Sequence, residues 1–312
     1  MSLNIKATLD TFPNKDSVVT IGTFDGVHVG HQKIINKLVK IAKKEDLHAA
    51  ILTFFPHPRM VLQSDSNIKL INTIDEKSEI LQSFGVDNLV IHEFTREFSR
   101  LTALEFVRDV LVDKLHVKHL IVGYDHRFGR NRSANIEDLR EFGETYNFKI
   151  TEISAKEIDE VAVSSTKIRN SLIEGDIQLA NKYLGYKFLL TGKVVKGRSL
   201  GSKIGFPTAN IEIEEQYKLI PKNGSYVVKV HINNSVVYGM MNIGENPTIE
   251  GKGSSIEVHL FDFSENIYNQ YIKIELLDRL RDEQKFDSVE DLIAQLSKDK
   301  KTSLNYIQNT NA

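Results

Sequence analysis

The order of apolar and polar residues changes character once along the chain. Up to about Gly185, short apolar runs alternate with helical patterns, which predicts parallel strands joined by helices in a wound α/β sheet. After Gly185, strand-like segments follow one another without helices between them, which predicts a small antiparallel barrel or sandwich with a terminal helix. We therefore predict an N-terminal α/β domain over residues 1–185 and a C-terminal β-barrel domain over residues 186–312.

The first half carries clear helix signals between its apolar runs. Residues 34–42 place apolar side chains on one face and lysines on the other, which is typical of a helix packed on a sheet. Thr73-x-x-Glu76 and Thr102-x-x-Glu105 match the capping box, in which each end satisfies a free backbone donor of the other. The predicted strands are residues 18–21, 49–54, 88–91, 119–122 and 148–153.

The second half is predicted to be mostly strands. A helix over residues 176–184, closed by Gly185, precedes them, and Ser288 is the predicted N-cap of a tail helix over residues 289–296. Asn233-Asn234 fits a two-residue hairpin turn. The predicted strands are residues 188–195, 226–232, 236–241, 256–263 and 271–277.

Composition and charge narrow the possible functions. The net charge is −2 and the pI about 6.6, so no overall positive field attracts nucleic acid or an anionic membrane. The chain has no cysteine, which excludes disulfides, thiolate metal sites and cysteine nucleophiles. The start lacks a signal-peptide pattern, and no apolar run reaches the ~18 residues of a membrane span. We expect a cytoplasmic protein that binds neither nucleic acid nor membranes.

The strongest chemical signal lies in residues 18–31, which read as a buried strand, a glycine-containing turn and the start of a helix. Gly22 and Gly30 leave the backbone free to approach a ligand, and a helix N-terminus offers unpaired N–H groups to a phosphate. His28 and His31 are three residues apart, so both imidazoles point to one place. The alternatives are a chance pair or half of a zinc site, and the usual zinc-binding cysteines are absent. The context favours nucleotide binding.

A second polar cluster occurs at residues 163–169. Ser164 or Ser165 fits the cap of a helix, and hydroxyls, free N–H groups and the basic Arg169 gather there. This pattern favours a phosphate site when it is combined with the first motif. On its own it fits an ordinary capped helix equally well.

The second half has a candidate phosphate site of its own. Residues 192–210 carry four glycines and four basic residues, and such a loop can wrap phosphates or be an ordinary glycine-rich connection. Thr208 and Asn210 alternate along an extended segment and offer oxygen ligands to Mg²⁺. Glu257 and His259 likewise share one strand face, which is either a solvent face or the position of a general base.

The combination of motifs in the first half resembles a known family. Gly-x-Phe-Asp-Gly-x-His-x-Gly-His, followed by Ser-Ser-Thr-x-Ile-Arg, is similar to the FMN adenylyltransferase module of bacterial bifunctional riboflavin kinase/FAD synthetases, a Rossmann-like nucleotidyltransferase. Residues 53–58 and 123–129 stand where that family has flavin- and nucleotide-contacting loops, although His126, Asn131 and Ala134 depart from its usual pattern. The resemblance implies ATP or phosphate contacts for Gly22, Phe24, His28, Gly30, His31 and Asp125, pyrophosphate contacts for Ser164, Ser165, Thr166 and Arg169, and flavin contacts for Pro56, His57 and Pro58.

The second half resembles riboflavin kinases. Pro-Thr-Ala-Asn at 207–210, Asn-Ile-Gly at 242–244 with Pro247-Thr248, Ile-Glu-Val-His at 256–259 and residues 280–286 occur in that family's order. The resemblance implies that Glu257 is the general base on the ribityl hydroxyl and that Arg281 belongs to a mobile loop over the flavin. It also implies Mg²⁺ and phosphate contacts for Thr208 and Asn210, ATP contacts for Gly197, Lys203 and Gly205, and a flavin contact for Asn242.

Together these resemblances predict an enzyme of flavin cofactor synthesis. Riboflavin would be phosphorylated to FMN in the C-terminal domain, and FMN adenylylated to FAD in the N-terminal domain, with ATP as co-substrate and Mg²⁺ as cofactor. Two alternatives stay open at this level. One is a nucleotidyltransferase for another phosphate substrate with a passive barrel. The other is a flavin-binding protein without turnover.

Overall fold

The computed structural model describes residues 5–63, 67–124, 127–154, 163–197, 200–233, 235–245 and 254–311. Within these ranges no helix is long and apolar enough to cross a membrane. The predicted turn residue Asn234, the motif residues Pro247 and Thr248, and the loop residues Asp125 and His126 lie outside the described residues.

The chain divides into two compact units, Met1–Ser164 and Ser165–Ala312. The sequence placed the boundary about one helical hairpin later, at residues 185–186. The difference has a local cause in Asn181, on the second helix after the division. Its amide donates to the carbonyl of Leu276 (2.9 Å) and accepts from the amide of Phe188 (2.7 Å), which ties that helix to two barrel strands.

The first unit is built on a parallel sheet. Its strand order is β1-β4-β3-β2-β5-β6, and every adjacent pair is parallel. The chain adds β3 on one side of β2 and later adds β5 on the other, so the carboxyl end of β2 is the point where a wound sheet binds its ligands. The predicted sheet is confirmed, with β1 as an additional short strand. The strands are β1 Lys6–Ala7, β2 Ser17–Ile21, β3 His48–Phe55, β4 Asn88–Glu93, β5 Val117–Gly123 and β6 Lys149–Ile153.

Helices cover both faces of this sheet. Val18 packs in a cluster with Leu38, whereas its neighbour Val19 packs in a separate cluster with Phe106, because successive residues of a strand point to opposite faces. Both predicted capping boxes are present, at Thr73 and Thr102. The helices are α1 Val29–Glu45, α2 Pro58–Leu62, α3 Ile74–Ser83, α4 Ala103–Glu105, which continues as a π-helical segment Phe106–Val112, and α5 Ile136–Tyr146.

The second unit is the predicted antiparallel barrel, closed in the order β10-β11-β8-β7-β12-β9. Two helices precede it, and the second ends at Gly185 with φ 76°, as predicted. The tail helix has the predicted cap, because the Ser288 hydroxyl accepts the amide of Asp291 (3.1 Å), but the helix continues well beyond residue 296. The elements are α6 Ser165–Glu174, α7 Ile177–Leu184, β7 Phe188–Val195, α8 Leu200–Lys203, β8 Ala209–Glu212, β9 Gly224–Ile232, β10 Ser235–Glu245, β11 Ser254–Leu260, β12 Tyr271–Arg281 and α9 Val289–Asn311.

Candidate active sites

The loop after β2 forms a tight turn at the carboxyl edge of the parallel sheet. Gly22 stays attached to the sheet, since its amide donates to the carbonyl of Leu52 (3.0 Å). The turn is closed by a hydrogen bond from the amide of Val27 to the carbonyl of Phe24 (3.1 Å), and both residues have positive φ angles, 36° and 44°. The turn delivers the chain directly into α1, whose N-terminal N–H groups face the ligand-binding edge of the sheet.

The two histidines of the loop are brought together as their spacing predicts. His28 is the N-cap of α1, and the amide of His31 donates to its Nδ1 (3.4 Å). The two imidazoles stack with their centroids 3.6 Å apart and their planes 18° apart. Because Nδ1 of His28 accepts a hydrogen bond, a neutral His28 carries its proton on Nε2. That N–H is then available to a ligand.

Both imidazoles are kept neutral at pH 7. Burial lowers the pKa of His28 to about 4, although the carboxylate of Asp25 opposes the shift. Burial also lowers the pKa of His31 well below its usual value, and the nearby His28 and Lys77 lower it further. Within the described part of the chain, Nδ1 of His31 is buried without a hydrogen-bond partner. An unsatisfied buried nitrogen of this kind is suited to a polar ligand group.

Two predicted glycines are required by the packing of these rings. A Cβ on Gly30 would lie 3.2 Å from the imidazole of His28. A Cβ on Gly22 would lie 3.0 Å from the ring of Phe24, which in turn packs edge-on against His31 at 5.0 Å. The glycines therefore let the aromatic rings of the loop lie directly on the backbone.

Hydrogen bonds from polar side chains of β3 and α3 hold the loop after β2 in place. The carbonyl of Thr23 accepts hydrogen bonds from the ammonium of Lys77 (2.7 Å) and the hydroxyl of Thr53 (3.3 Å). The carboxylate of Asp25 accepts the backbone amide of Ile71 (3.0 Å). Sequence analysis did not single out Lys77, because its burial arises from tertiary packing and has no local sequence signal.

The predicted flavin residues of the first unit lie at the carboxyl end of β3. Pro56, His57 and Pro58 are half-buried, and Nδ1 of His57 caps α2 by accepting the amide of Arg59 (3.1 Å). Phenylalanine rings gather beside this segment, at the ends of β3 and β4. The ring of Phe98 lies 5.6 Å from that of Phe54 and 5.9 Å from that of Phe94, and 4.3 Å from His92. Sequence analysis did not predict this aromatic cluster.

The remaining predicted phosphate contacts are placed only in part. Ser164 is the last residue of the first unit, and Ser165, Thr166 and Arg169 lie in the first turns of α6 in the second unit. The pyrophosphate contacts of these residues stay a prediction. The nucleotide contact of Asp125 also stays a prediction.

In the barrel, the predicted kinase residues form one row across neighbouring strands. Glu257 on β11 pairs in register with Asn210 on β8 and with Asn242 on β10. The hydroxyl of Thr208 donates to the carboxylate of Glu257 (3.1 Å). The four side chains are half-buried, so this row combines a carboxylate with hydroxyl and amide groups on an accessible surface.

The glycine-rich loop approaches this row closely at one point. A Cβ on Gly197 would overlap the amide of Asn210, so the loop backbone lies directly against that side chain. Gly205 has φ +85° and open space around it. Lys203, the last residue of α8, is exposed. The ATP contacts of Gly197, Lys203 and Gly205 stay predictions.

His259 is buried rather than solvent-facing. Its Nδ1 lies 2.8 Å from the carbonyl of Pro207, and its ring packs 5.3 Å from Phe206 and 5.7 Å from Phe261. Since a carbonyl only accepts, Nδ1 carries the proton. Burial lowers the pKa of His259 against the opposing hydrogen bond to Pro207, and the charge of Lys300 lowers it further. His259 thus anchors the segment that leads into Thr208.

The expected placement of Arg281 needs correction. The resemblance put it on a mobile loop, but it is the last residue of β12. Its guanidinium binds the carboxylate of Asp299 on α9, with Nε–Oδ2 and Nη2–Oδ2 distances of 3.0 and 2.8 Å. Only 15% of the Arg281 side chain and 5% of the Asp299 side chain are exposed, because the tail helix packs over this end of the strand.

The side-chain oxygen atoms of Thr208, Asn210 and Glu257 in the barrel are suited to bind a hard cation such as Mg²⁺. No group of three His, Asp or Glu residues within the described ranges could bind a metal ion by itself. Mg²⁺ does not need such a group, because it is commonly held by one or two protein oxygens together with substrate phosphates and water. Thr208 and Asn210 offer such oxygens beside the carboxylate of Glu257.

Comparison with known proteins divides the chain in the same two halves. A model of the FAD synthetase family matches residues 11–167, and a model of the riboflavin kinase family matches residues 184–307. Bifunctional riboflavin kinase/FMN adenylyltransferases from Buchnera aphidicola (of Schizaphis graminum) and Listeria monocytogenes are 40% and 39% identical to this chain. The first alignment covers 92% of both chains, and the second covers 94% of this chain and 93% of its relative.

A solved crystal structure is similar to this chain over almost its full length. It is a crystal structure described as a macrolide-efflux protein from Streptococcus pneumoniae, with a TM-score of 0.87 and 32% sequence identity. The match covers 96% of this chain and 99% of that chain, so the two-unit architecture is shared over essentially the whole length.

Proposed function

This chain belongs to the family of bifunctional riboflavin kinase/FMN adenylyltransferases, and we propose that it converts riboflavin to FAD in two ATP-dependent steps. The barrel unit transfers the γ-phosphate of ATP to riboflavin, giving FMN and ADP. The first unit transfers the adenylyl group of a second ATP to FMN, giving FAD and pyrophosphate. The observation that supports the proposal is that each unit brings predicted site residues together: the stacked His28–His31 pair in one and the Thr208–Glu257 pair in the other.

In the adenylyl transfer, an oxygen of the FMN phosphate attacks the α-phosphorus of ATP while the bond to pyrophosphate breaks. The Nε2–H of His28 and the N–H of neutral His31 donate to phosphate oxygens that gain charge as pyrophosphate leaves. The free N–H groups at the start of α1 face the same charge. The reaction is a direct displacement, so the protein needs no nucleophile of its own.

The position of the flavin in the first unit is supported by the aromatic cluster. Phe54, Phe94 and Phe98 form an apolar surface beside Pro56 and Pro58, and a flat ring system packs well on such side chains. We propose that the isoalloxazine ring lies there, with its phosphate directed to the β2 loop.

In the phosphoryl transfer, Glu257 is the proposed general base. Its carboxylate takes the proton of the ribityl hydroxyl as that oxygen attacks the γ-phosphorus. The hydrogen bond from Thr208 fixes the orientation of the carboxylate. Thr208 and Asn210 would hold Mg²⁺, which supplies neutralisation of phosphate charge when it is bound. Asn242, in register with Glu257, would contact the flavin side of the site.

The division of labour is tested by two substitutions. We expect His28→Ala to reduce conversion of FMN to FAD by about 10²–10³-fold, the loss typical of a removed phosphate or oxyanion donor, while riboflavin is still phosphorylated. We expect Glu257→Ala to reduce riboflavin phosphorylation by about 10²–10⁴-fold, while supplied FMN is still adenylylated. Flavin products are measured by chromatography. A folded His28→Ala variant that loses both activities would contradict the assignment.

A further inference from the structure

Lys77 is a buried cation that the reaction steps above do not use. It lies in the first turn of α3, and only 2% of its surface is exposed. Burying an ammonium ion costs free energy unless the charge is paired or hydrogen-bonded. Burial lowers the pKa of Lys77, and the nearby carboxylate of Asp25 opposes this shift and favours the charged form. A buried charge placed directly under a phosphate-binding loop calls for a functional explanation.

The contacts of Lys77 connect α3 to that loop. Its ammonium donates to the carbonyl of Thr23 (2.7 Å), which lies between the loop residues Gly22 and Phe24. Asp25, two residues further on, accepts the amide of Ile71 just before α3 (3.0 Å). The loop is therefore held from two sides by the segment that carries Lys77, and its backbone is fixed before any ligand arrives.

The charge of Lys77 also acts on the histidine pair. It contributes to the lowered pKa of His31, together with burial and the neighbouring His28. Lys77 thus lies near enough to His31 for a direct electrostatic effect. Because the side chain is buried, this charge is screened much less by solvent and salt than a surface charge.

We propose that Lys77 is a positioning residue for adenylyl transfer, which fixes the carbonyl of Thr23 and places a positive charge behind the loop where pyrophosphate gains charge. This inference rests on the adenylyltransferase function proposed above. A preorganised charge of this kind stabilises the transition state more than the bound substrate, so its loss lowers kcat more than it raises KM.

A purely structural role for Lys77 makes a different prediction, and Thr53 provides the matched control. Lys77→Met removes the charge and a hydrogen bond to the Thr23 carbonyl while keeping an unbranched side chain. Thr53→Val removes the other hydrogen bond to the same carbonyl, from a fully buried side chain, without any change in charge. If only anchoring matters, the two variants lose similar activity. If the charge matters, Lys77→Met loses far more.

The experiment uses the full chain and follows FMN to FAD with ATP varied. We expect Lys77→Met to lower kcat by about 10- to 100-fold, less than the loss of a donor in direct contact, with KM for ATP changed less than about threefold. Thr53→Val should lose less than about tenfold, the effect of one neutral hydrogen bond. Lys77→Arg, which keeps the charge, should recover part of the loss. Because riboflavin phosphorylation belongs to the other unit, thermal unfolding and circular dichroism of the same samples report whether the first unit of each variant is folded.

A wild-type kcat in Lys77→Met, a loss confined to KM, or an equal loss in Thr53→Val would overturn the proposal. If Lys77→Met does not fold, Lys77→Gln takes its place with the same expectation. A second measurement is independent of turnover: the pKa of the His31 imidazole, followed by NMR, should rise in the uncharged variant, and an unchanged value would also overturn the proposal. Failure of the wild-type chain to make FAD would instead count against the proposed function.

Discussion

The absence of a side chain at position 30 is what allows the His28 imidazole to lie over the start of α1. Gly30 is helical, and its backbone angles place no special demand on the residue type. The constraint comes from contact, since a Cβ there would lie 3.2 Å from both Cε1 and Nδ1 of His28. The ring would have to shift, and with it the nitrogen that caps the helix and the Nε2–H that is proposed to donate to the phosphates.

Gly30→Ala should therefore separate catalysis from stability. We expect adenylylation of FMN to fall by about tenfold or more, because small displacements of a catalytic group are costly. Helix stability should change little, because the gain of at most about 1 kcal/mol from alanine over glycine is offset by the loss of the His28 cap, which costs a similar amount. Rates of FAD formation and thermal unfolding curves measure the two effects. Asn36→Ala, at an exposed position of α1, is the control. Equal activity in both variants would contradict this account.

Two residues that depart from the usual family pattern, Asn131 and Ala134, have clear local surroundings in this chain. Asn131, where glycine is more typical, has φ 56°, and asparagine tolerates this left-handed conformation better than most residues. Ala134 is buried and exchanges two backbone hydrogen bonds of 3.2 Å with Phe128.

For single residues, the prediction from sequence succeeded where the spacing of two residues along the chain determines where their side chains point. The convergence of His28 and His31 follows from a three-residue separation at a helix start. The burial of Lys77 and His259 depends on which elements pack together, as does the pairing of Arg281 with Asp299. Their sequence positions look like ordinary polar sites of a helix or strand.

At the scale of elements, local sequence signals such as helix caps predicted where most helices and strands begin, but they predicted few of their lengths. The capping boxes at Thr73 and Thr102 were recognised from their side chains. Asn135 and Asp138 cap α5 in the same reciprocal way, but this helix was missed because its cap uses a different residue pair. Strand β8 was predicted only as an extended segment around Thr208 and Asn210, because its four residues are too short a run for a clear strand pattern.

The two recognised capping boxes make a matched comparison of α3 and α4. We expect Thr73→Ala and Thr102→Ala each to destabilise the protein by about 1 kcal/mol, the usual cost of a lost N-cap. Thr73→Ala should in addition slow adenylylation, because α3 carries Lys77 against the phosphate loop. Denaturation midpoints and FAD formation rates distinguish the effects. A larger loss of adenylylation in Thr102→Ala than in Thr73→Ala would argue against a role for α3 in the site.

At the scale of the whole molecule, the boundary between units lies before the helix pair α6–α7. Sequence periodicity changes only at Gly185, because α6 and α7 continue the helical pattern of the first half. The family models leave residues 168–183 between their two matches. The side chain of Asn181 shows why the structure groups the helix pair with the barrel: it satisfies backbone groups of both β7 and β12. Such a non-local contact has no signature in composition.

The central claim is that one chain carries two successive activities, since each unit matches one of the two enzyme families and brings candidate residues together. The most direct test is to incubate the purified chain with riboflavin, ATP and Mg²⁺ and to resolve riboflavin, FMN and FAD by chromatography over time. The account predicts that FMN appears first and that FAD follows with a lag, and that supplied FMN is converted to FAD without the lag. The absence of any flavin product, even from supplied FMN, would contradict it.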